Sequence, residues 1–455
     1  CEKLLEYDAH HEYSITVLGD ELIPAYDRVS LSQLFSGKSD TDLVLAESRW
    51  YDYYKIDLKL GSRAASINRI DKTVTSGGGK LYSYDHLVIA TGSRPHVPDI
   101  GGTDLEGVHV YRTSDDVYAI RNESRDASCA VIIGGGLLGL EAAEACRELG
   151  LETTIVEREP FLMACQLDEI AGGLLDEKVE NLGIHLELEA HVKSIEGDGK
   201  VVAVQLEQGD RLAADMVIIA TGIIPNDELG RDAGLEMGLR GGIAVNTSVQ
   251  TSDPCIFAIG ECASFNDALF GLVAPGYAMA EVAAARLGSM NKTFEMMVPA
   301  SKLKLLDLQV ASIGETHLTM DEVDFIYEMD LPKGVYKKLL ISKDWKSLIG
   351  AILVGEISEF EKIRKTLVKG GELPPSPHDL LAPVGKPFNA EIDLEDDDVV
   401  CFCNYVTKGD ICRAIDNKNL KTVGDVMGST YAGGLCGSCL DTVIAVTNQY
   451  VEHGV

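Results

Sequence analysis

The chain has 455 residues, a hydrophobic content of 45% and a formal net charge of −32 at pH 7. This length predicts roughly three domains with sizeable cores, and the acidic excess argues against nucleic acid or an anionic membrane surface as a partner, because like charges repel. The longest apolar runs, residues 129–140 and 268–280, are shorter than the roughly 18 residues of a membrane helix, and no secretory signal is evident, so the sequence predicts a soluble, cytoplasmic protein.

The first residues predict the end of a helix followed by a strand at residues 14–18, after which come Asp20 and Glu21. An acid at the end of a second strand is typical of a dinucleotide-binding unit, whose first strand and glycine loop are not found before this helix. We therefore expect a piece of roughly 20–30 residues upstream of Cys1. The alternative is a natural start in a loop.

Two segments of the chain resemble each other. Residues 84–95 and 213–225 each contain an aspartate, then an apolar strand that ends in Ala-Thr-Gly, with a proline a few residues later. The two turns carry Thr91 and Gly92, and Thr221 and Gly222. Such doubling predicts two similar nucleotide-binding modules.

A complete strand, turn, helix and strand unit lies between these segments, at residues 129–160. The apolar residues 130–133 predict a buried strand, and Gly134, Gly136 and Gly139 follow it with the G-x-G-x-x-G spacing. A helix that starts near Leu137 would point its free N–H groups and its positive dipole end at a pyrophosphate. This stretch predicts a dinucleotide site.

Acidic residues of the same unit bear on the choice of nicotinamide cofactor. Glu157 ends the second strand, where a carboxylate can accept from a ribose 2′-OH, which favours NAD over NADP. Arg158 beside it could instead meet a 2′-phosphate, so both cofactors stay open. Glu141, on the first turn of the helix, either contacts the nicotinamide carboxamide or stabilises the helix dipole.

A third marker is an apolar strand at residues 255–259 that ends in Gly260 and Glu261, followed by a turn and a helix within residues 271–287. Together, the paired Ala-Thr-Gly strands, the central glycine motif and the Gly260-Glu261 ending resemble the two-dinucleotide-binding flavoprotein family. The resemblance implies an FAD module at residues 1–112 and 240–290, with an NAD(P)H module at residues 113–239 inserted in it.

Roles of individual residues also come with this resemblance. It implies that Glu21 holds the FAD ribose, that Arg28, Thr91 and Gly92 line the flavin, and that the Gly260-Glu261 turn contacts the ribityl chain or the pyrophosphate. Disulfide reductases of this superfamily carry a redox cysteine pair after the first ribose acid. Residues 21–90 contain no cysteine, which makes thiol chemistry improbable. We interpret Cys146, Cys165, Cys255 and Cys262 as small buried residues.

The sequence changes character after residue 290. Short apolar or alternating runs at residues 302–313, 335–341 and 348–355 predict antiparallel strands in a small α+β domain at residues 291–370. Residues 371–398, rich in Pro, Gly and acid, predict a linker. Residues 399–455 then form a small helical domain.

The last domain holds a cysteine cluster, with Cys401 and Cys403 as C-x-C and Cys436 and Cys439 as C-x-x-C. Eleven cysteines in a long chain indicate metal ligation in a reducing compartment, and four thiolates can hold either Zn²⁺ or a [2Fe–2S] cluster. A flavin accepts a hydride, and a one-electron centre is needed to pass its electrons on singly, which favours [2Fe–2S]. Cys412 lies in a helical pattern and is predicted to be a core residue.

This segment resembles the bacterioferritin-associated-ferredoxin-like [2Fe–2S] domain. Combined with the flavoprotein motifs at residues 25–29, 134–143, 250–254, 258–263 and 271–277, it is similar to the large subunits of assimilatory NAD(P)H-dependent nitrite reductases. The resemblance implies FAD, NAD(P)H and [2Fe–2S] as cofactors and a sirohaem and [4Fe–4S] region further along, to which no residue here corresponds. It also implies NADH, the reductase small subunit or a downstream sirohaem domain, and a second copy of the chain as partners.

Two alternatives remain from the sequence. One is a separate electron-transfer subunit of an assimilatory nitrate reductase, or an enzyme that resembles ferredoxin and rubredoxin reductases. The other is a binding module that senses NADH without turnover. The predicted fold is α/β, with two Rossmann-like dinucleotide-binding domains, a small α+β third domain and a small helical [2Fe–2S] domain.

Overall fold

The computed structural model describes residues 1–8, 12–305, 308–382, 394–396, 398–401, 404–433 and 439–453. Along this part of the chain, no helix combines the length and apolar character needed to cross a bilayer. The first module begins with α1 (Glu2–Tyr7), β1 (Thr16–Leu18), α2 (Asp40–Leu43), α3 (Ser48–Tyr53), β2 (Asp57–Lys59), β3 (Ala64–Asn68), β4 (Thr73–Ser76), β5 (Leu81–Ser83), β6 (Leu87–Ile89) and β7 (Ser93–Pro95). β1 pairs in parallel with β2, while β3, β4 and β5 form an antiparallel sheet.

The second module is built on a parallel sheet. Its elements are β8 (Val108–Val110), α4 (Ser114–Glu123), β9 (Cys129–Ile133), α5 (Leu137–Glu148), β10 (Glu152–Val156), α6 (Glu169–Asn181), β11 (His185–Glu187), β12 (Val192–Asp198), β13 (Lys200–Leu206), β14 (Arg211–Ala213), β15 (Met216–Ile219) and β16 (Ile223–Pro225). The five parallel strands lie in the order β11-β10-β9-β15-β8. β9 and β15 are almost fully buried in the sheet, which explains their continuous apolar sequences.

The chain then returns to the first module through α7 (Glu228–Asp232), β17 (Ile243–Val245), β18 (Ile256–Ala258), β19 (Ala263–Phe265), β20 (Ala268–Leu269) and α8 (Val273–Leu287). β18 pairs in parallel with β6, and β16 pairs antiparallel with β7. α1 packs on α8, where the Tyr7 hydroxyl donates to Glu281 at 2.7 Å. The second module thus lies between two parts of the first, and its sheet includes β8, which precedes the predicted boundary at residue 113.

The third domain is a five-stranded antiparallel sheet with one helix. Its elements are β21 (Ala300–Leu305), β22 (Leu308–Gly314), β23 (Val323–Asp330), β24 (Val335–Ser342), β25 (Leu348–Val354) and α9 (Phe360–Val368), with strand order β21-β22-β25-β24-β23. The single run predicted at residues 302–313 is two strands. β23 and α9 were not predicted, because acidic and basic residues interrupt their apolar patterns.

The segment predicted as a linker is partly packed. Leu380 and Leu381 are buried in the core of the third domain, and the Leu373 N–H donates to the Lys346 carbonyl at 2.8 Å. Residues 371–382 therefore differ from an extended linker, because their leucines cover the helix side of the sheet. Residues 383–393 and 397 lie outside the described part of the chain.

The last domain is small and mainly helical. It contains β26 (Val399–Cys401), β27 (Val406–Thr407), α10 (Lys408–Lys418), α11 (Val423–Thr430) and α12 (Leu440–His453). Thr407 with Asp410, and Thr422 with Asp425, form capping boxes that start α10 and α11. The three helices pack around one buried apolar core.

Candidate functional site

The glycine loop after β9 brings α5 very close to the sheet. A Cβ at Gly139 would lie 1.9 Å from the Gly134 carbonyl oxygen, so only glycine permits this approach. Gly134 itself has φ +111°, a conformation that favours glycine. Gly136 precedes α5, and a Cβ there would meet no atom within 4 Å. The N-terminus of α5 therefore faces open space, as an anion site requires.

The Glu157 carboxylate is tied to this loop. It accepts from the N–H of Gly135 at 2.5 Å and from the N–H of Glu159 at 2.9 Å. Arg158 is largely exposed, and its side chain pairs with Glu159 at 3.3 Å. Glu157 is thus held beside the glycine loop at the C-terminal end of β10, where the sequence places the ribose acid.

Glu141 lies on the other side of the loop, in α5. Burial, together with the charge of Glu144, raises the pKa of Glu141 to about 7. Tyr111, at the end of β8, is buried, and its hydroxyl has no hydrogen-bond partner among the described residues. Burial, reinforced by the Glu141 charge, raises the pKa of Tyr111 well above its usual range. An unpartnered buried hydroxyl beside a carboxyl is a polar site that fits a ligand group.

In the first module, Glu21 and Arg28 form an ion pair across the loop that follows β1. The Tyr26 hydroxyl donates to Glu21 at 2.8 Å, and the Arg28 guanidinium lies 4.8 Å from the Tyr26 ring centre. Burial, with the Glu21 carboxylate, raises the pKa of Tyr26 to about 12. Arg28 also donates to the Arg112 carbonyl at 3.1 Å, so the structure brings both predicted residues of this loop together.

Glu261 lies on the 3₁₀ turn Gly260–Cys262 after β18. It accepts from Ser93 Oγ at 2.8 Å and pairs with Arg112. A Cβ at Gly92 would lie 3.9 Å from its carboxylate, and one at Gly260 would meet no atom within 4 Å. Gly92, Gly260 and Glu261 therefore share one site with space beside it.

Hydrogen bonds connect each of the two Ala-Thr-Gly turns to the end of the strand that follows the other turn. Thr91 Oγ1 donates to the Asn226 carbonyl, and Asn226 Nδ2 returns a bond to the Thr91 carbonyl at 3.0 Å. In the second turn, Thr221 Oγ1 donates to the His96 carbonyl at 2.7 Å, and His96 N–H donates to the Gly222 carbonyl at 2.9 Å. The antiparallel pair β7 and β16 thus joins the two modules at these turns.

The predicted cluster ligands are only partly described. Cys401 and Cys439 are buried in the same core, at 2% and 4% exposure. Cys403 and Cys436 lie outside the described residues. Within the described residues no group of three or more His, Cys, Asp or Glu side chains is arranged to hold a metal ion. Two thiols buried in the same small core fit the sulfur ligation of a [2Fe–2S] cluster.

The other cysteines divide into two groups. Cys146 and Cys262 are fully buried, and Cys412 is buried in the core of the last domain, as predicted. Cys165 is exposed, so its predicted burial is wrong, because it lies in a turn-rich segment between β10 and α6 and not in a regular element. Cys255 is half-exposed, so its predicted burial is also wrong, and its thiol accepts from Lys72 Nζ at 3.2 Å.

Several residues of this region were not predicted from the sequence. Arg112 and Asn226 were missed because their partners lie far away along the chain; Arg112, for example, is 149 residues from Glu261. Tyr26 and Tyr111 were missed because no sequence pattern distinguishes them from other buried tyrosines. The only available signal was an arginine shortly after a strand end, which many surfaces share.

Comparison with known families agrees with this geometry. Residues 3–286 match the family described as pyridine nucleotide-disulphide oxidoreductase, residues 299–370 match the rubredoxin NAD+ reductase C-terminal domain, and residues 399–448 match the BFD-like [2Fe–2S] binding domain. These matches confirm the predicted fold class and FAD, NAD(P)H and [2Fe–2S] as the cofactors, which decides against structural zinc.

Relatives match over almost the whole chain. The NADH nitrite reductase large subunit of Escherichia coli is 40% identical over 100% of this chain, which covers 54% of that protein. An assimilatory nitrate reductase electron transfer subunit of Bacillus subtilis is 34% identical over 94% of this chain, which covers 55% of that protein. The chain therefore spans about half the length of the curated relatives it matches. A ferredoxin reductase structure from Rhodopseudomonas palustris has a TM-score of 0.75 and 27% identity, covering 82% of this chain and 92% of its own.

Proposed function

Since the chain belongs to the pyridine nucleotide-disulphide oxidoreductase family, we propose that it is the electron-entry part of an assimilatory NAD(P)H-dependent nitrite reductase. In this proposal NADH is oxidised at the flavin, and its electrons leave through the cysteine-bound cluster towards a sirohaem site in another part of the protein. Sequence identities of 34–40% to nitrite reductases, over 95–100% of this chain, support it. We place the protein in the cytoplasm, where thiolate ligands stay reduced.

The FAD site is proposed on the first module. Glu21, held by Arg28 and Tyr26, would accept from the FAD ribose, as Glu157 would from the ribose in the second module. Arg28 would then act through Glu21 and through its contact with the Arg112 carbonyl. Glu261, whose charge Arg112 and Ser93 hold in place, would accept from the ribityl chain.

The two joined turns complete this site. Thr91 and Gly92 would line the flavin, and Thr221 and Gly222 would line the nicotinamide side. The hydrogen bonds between the turns fix their separation, which is what two stacked rings need. Positioning of this kind is the main contribution of the protein, since the cofactors supply the chemistry.

The NADH site is proposed on α5 and β10. Gly134, Gly136 and Gly139 let the pyrophosphate approach the helix N-terminus, and Glu157 would accept from the adenosine ribose, which favours NADH over NADPH. Glu141 would contact the nicotinamide. With a pKa of about 7, its carboxyl is partly protonated near neutral pH and can both donate to and accept from a carboxamide.

The cluster is proposed on Cys401, Cys403, Cys436 and Cys439. Bound there, a [2Fe–2S] centre would take electrons one at a time from a two-electron donor. The burial of Cys401 and Cys439 keeps water away from their sulfur atoms. Solvent exclusion of this kind is one determinant of the reduction potential of a bound cluster. The domains needed for hydride entry and for one-electron exit thus lie on one chain, and this is the observation that carries the proposal.

The full-length protein tests the proposal. Purified with its cofactors and supplied with NADH and nitrite, it should consume NADH and form ammonium in a fixed ratio. A partner small subunit and a second copy of the chain are further proposals, tested in the same preparation by adding the subunit and measuring the native mass. Rapid NADH oxidation with ferricyanide, but none with nitrite in the complete protein, would contradict the nitrite assignment.

A second candidate is a separate electron-transfer subunit of an assimilatory nitrate reductase, as the Bacillus subtilis relative is named. It predicts NADH-dependent nitrate reduction only after the catalytic subunit is added, and no ammonium from nitrite. A protein that binds NADH without oxidising it in the presence of ferricyanide would favour a sensing module over both.

A further inference from the structure

The last domain is seated on the FAD module through contacts at separate points. Lys3, in α1, pairs with Asp410, in α10, at 3.2 Å. The Tyr431 hydroxyl, just after α11, donates to the Leu45 carbonyl of the loop after α2, and Asn404 Nδ2 donates to the Tyr431 carbonyl at 2.7 Å. Because the domain contacts both α1 and the loop after α2, its orientation is fixed as well as its position.

The third domain holds the cluster strand from another side. Arg364, buried in α9, donates to the Val399 carbonyl at 3.1 Å, and Lys365 pairs with Asp398 at 3.5 Å. Val399 begins β26, the strand that ends at Cys401. One predicted cluster ligand is thus carried by a strand that is anchored at its start.

These contacts place the cluster end of the domain near α8. The first turn of α8 packs on the Gly260–Cys262 turn, since a Cβ at Gly276 would lie 3.5 Å from Gly260 Cα. In the same helix, Ala278 and Val282 line one cavity together with Val399 and Val400, at the start of the strand that ends at Cys401. The Glu261 turn, at which we propose the FAD, and the strand that carries the cluster ligand Cys401 therefore both lie beside α8.

We infer that this is the docked state in which electrons pass from the flavin to the cluster, with Lys3 and Tyr431 as positioning residues. This inference rests on the proposed function. NADH supplies two electrons as hydride and becomes NAD⁺. If cytochrome c is added as the one-electron acceptor, two molecules of it are reduced for each NADH oxidised, and one proton is released.

The alternative is a last domain that moves freely relative to the FAD module, so that docking would not limit transfer. The two alternatives differ in how strongly the rate of electron transfer depends on the Lys3–Asp410 and Tyr431–Leu45 contacts. One hydrogen bond or half-exposed ion pair changes a docking equilibrium by about threefold to tenfold, and the loss of both by about tenfold to hundredfold. Since Lys3 and Asp410 are partly exposed, added salt should also weaken docking.

The test uses the full-length, cofactor-loaded protein with Lys3→Met, Tyr431→Phe and both together. Asp410 keeps Arg413 as a partner at 2.7 Å, so α10 should remain folded in the Lys3 variant. The controls are Lys333→Met, which removes an exposed lysine paired with Asp330, and Tyr53→Phe at a largely exposed tyrosine. The rates of flavin reduction and of cluster reduction by NADH are measured separately by stopped flow, and amide hydrogen exchange is measured over α1 and residues 41–47.

We expect faster hydrogen exchange at α1 and at residues 41–47 in the variants, and cluster reduction about tenfold or more slower in the double variant, with flavin reduction unchanged. Unchanged amide hydrogen exchange would show that the last domain is not docked through these contacts in solution. Faster exchange with an unchanged rate of cluster reduction would show that electron transfer does not require this docking. If the wild-type flavin is not reduced by NADH, the proposed function fails, while the exchange measurement still decides whether the domain is docked.

Discussion

Replacement of Gly139 by alanine tests the glycine loop on which the NADH site depends. The added Cβ would lie 1.9 Å from the Gly134 carbonyl oxygen, where real contacts are at least 3.0 Å, so the helix must retreat by about 1 Å. Alanine gains about 1 kcal/mol of helix propensity over glycine. Overpacking against a fixed carbonyl costs about 1–3 kcal/mol, so the net effect is a loss of up to about 2 kcal/mol.

The same retreat moves the N-terminus of α5, which we propose binds the pyrophosphate. A misplacement of about 1 Å costs about 10- to 100-fold in kcat/KM for NADH. The matched control is Gly173→Ala in α6, where a Cβ meets no atom within 4 Å and the helix propensity gain is retained.

Thermal unfolding and NADH–ferricyanide kinetics measure both effects. Gly139→Ala should lower Tm by a few degrees and lower kcat/KM for NADH. Gly173→Ala should raise Tm slightly and leave the kinetics unchanged. If Gly139→Ala matched the control in both assays, the close approach of helix and strand would not be the reason for glycine at this position.

Three further predictions follow from buried groups. Lys337→Met leaves the fully buried Glu359 unpaired and should cost about 3–5 kcal/mol in denaturant unfolding, whereas Lys337→Met with Glu359→Leu should be close to wild type; equal losses in both would contradict this. Glu141, with its pKa raised from 4.5 to about 7, stabilises the fold fully below pH 4.5 and loses this effect as pH rises through 7. Glu141→Gln should therefore flatten the dependence of Tm on pH in that interval, and an unchanged slope would refute the assignment. Cys439→Ser should abolish cytochrome c reduction by NADH and leave ferricyanide reduction intact, whereas Cys412→Ser should leave both unchanged; loss in both variants would point to misfolding.

The second module was largely predictable from sequence because its signals are local. Gly134, Gly136 and Gly139 fix the strand, turn and helix within a few residues, and the helix begins at Leu137 as predicted. The burial of β9 and β15 on both faces produces continuous apolar runs that are read directly.

The contacts that hold the sites were not predictable, since they join distant parts of the chain. Glu261 was recognised from the turn in which it lies. Its partner Arg112 follows β8, 149 residues earlier in the chain. Strand β23 was missed because charged residues alternate with its apolar ones at an edge of the sheet. The buried pair Lys337 and Glu359 is 22 residues apart along the chain and carries no sequence pattern that distinguishes it from surface charge.

The account rests on electrons passing from NADH through the flavin to a cluster on the last domain. An anaerobic NADH titration of the full-length protein, followed by flavin absorbance and by electron paramagnetic resonance, tests this most directly. We predict that NADH bleaches the flavin and produces the signal of a reduced [2Fe–2S] cluster, which disappears in Cys439→Ser. A bleached flavin without any cluster signal in the wild-type protein would contradict it.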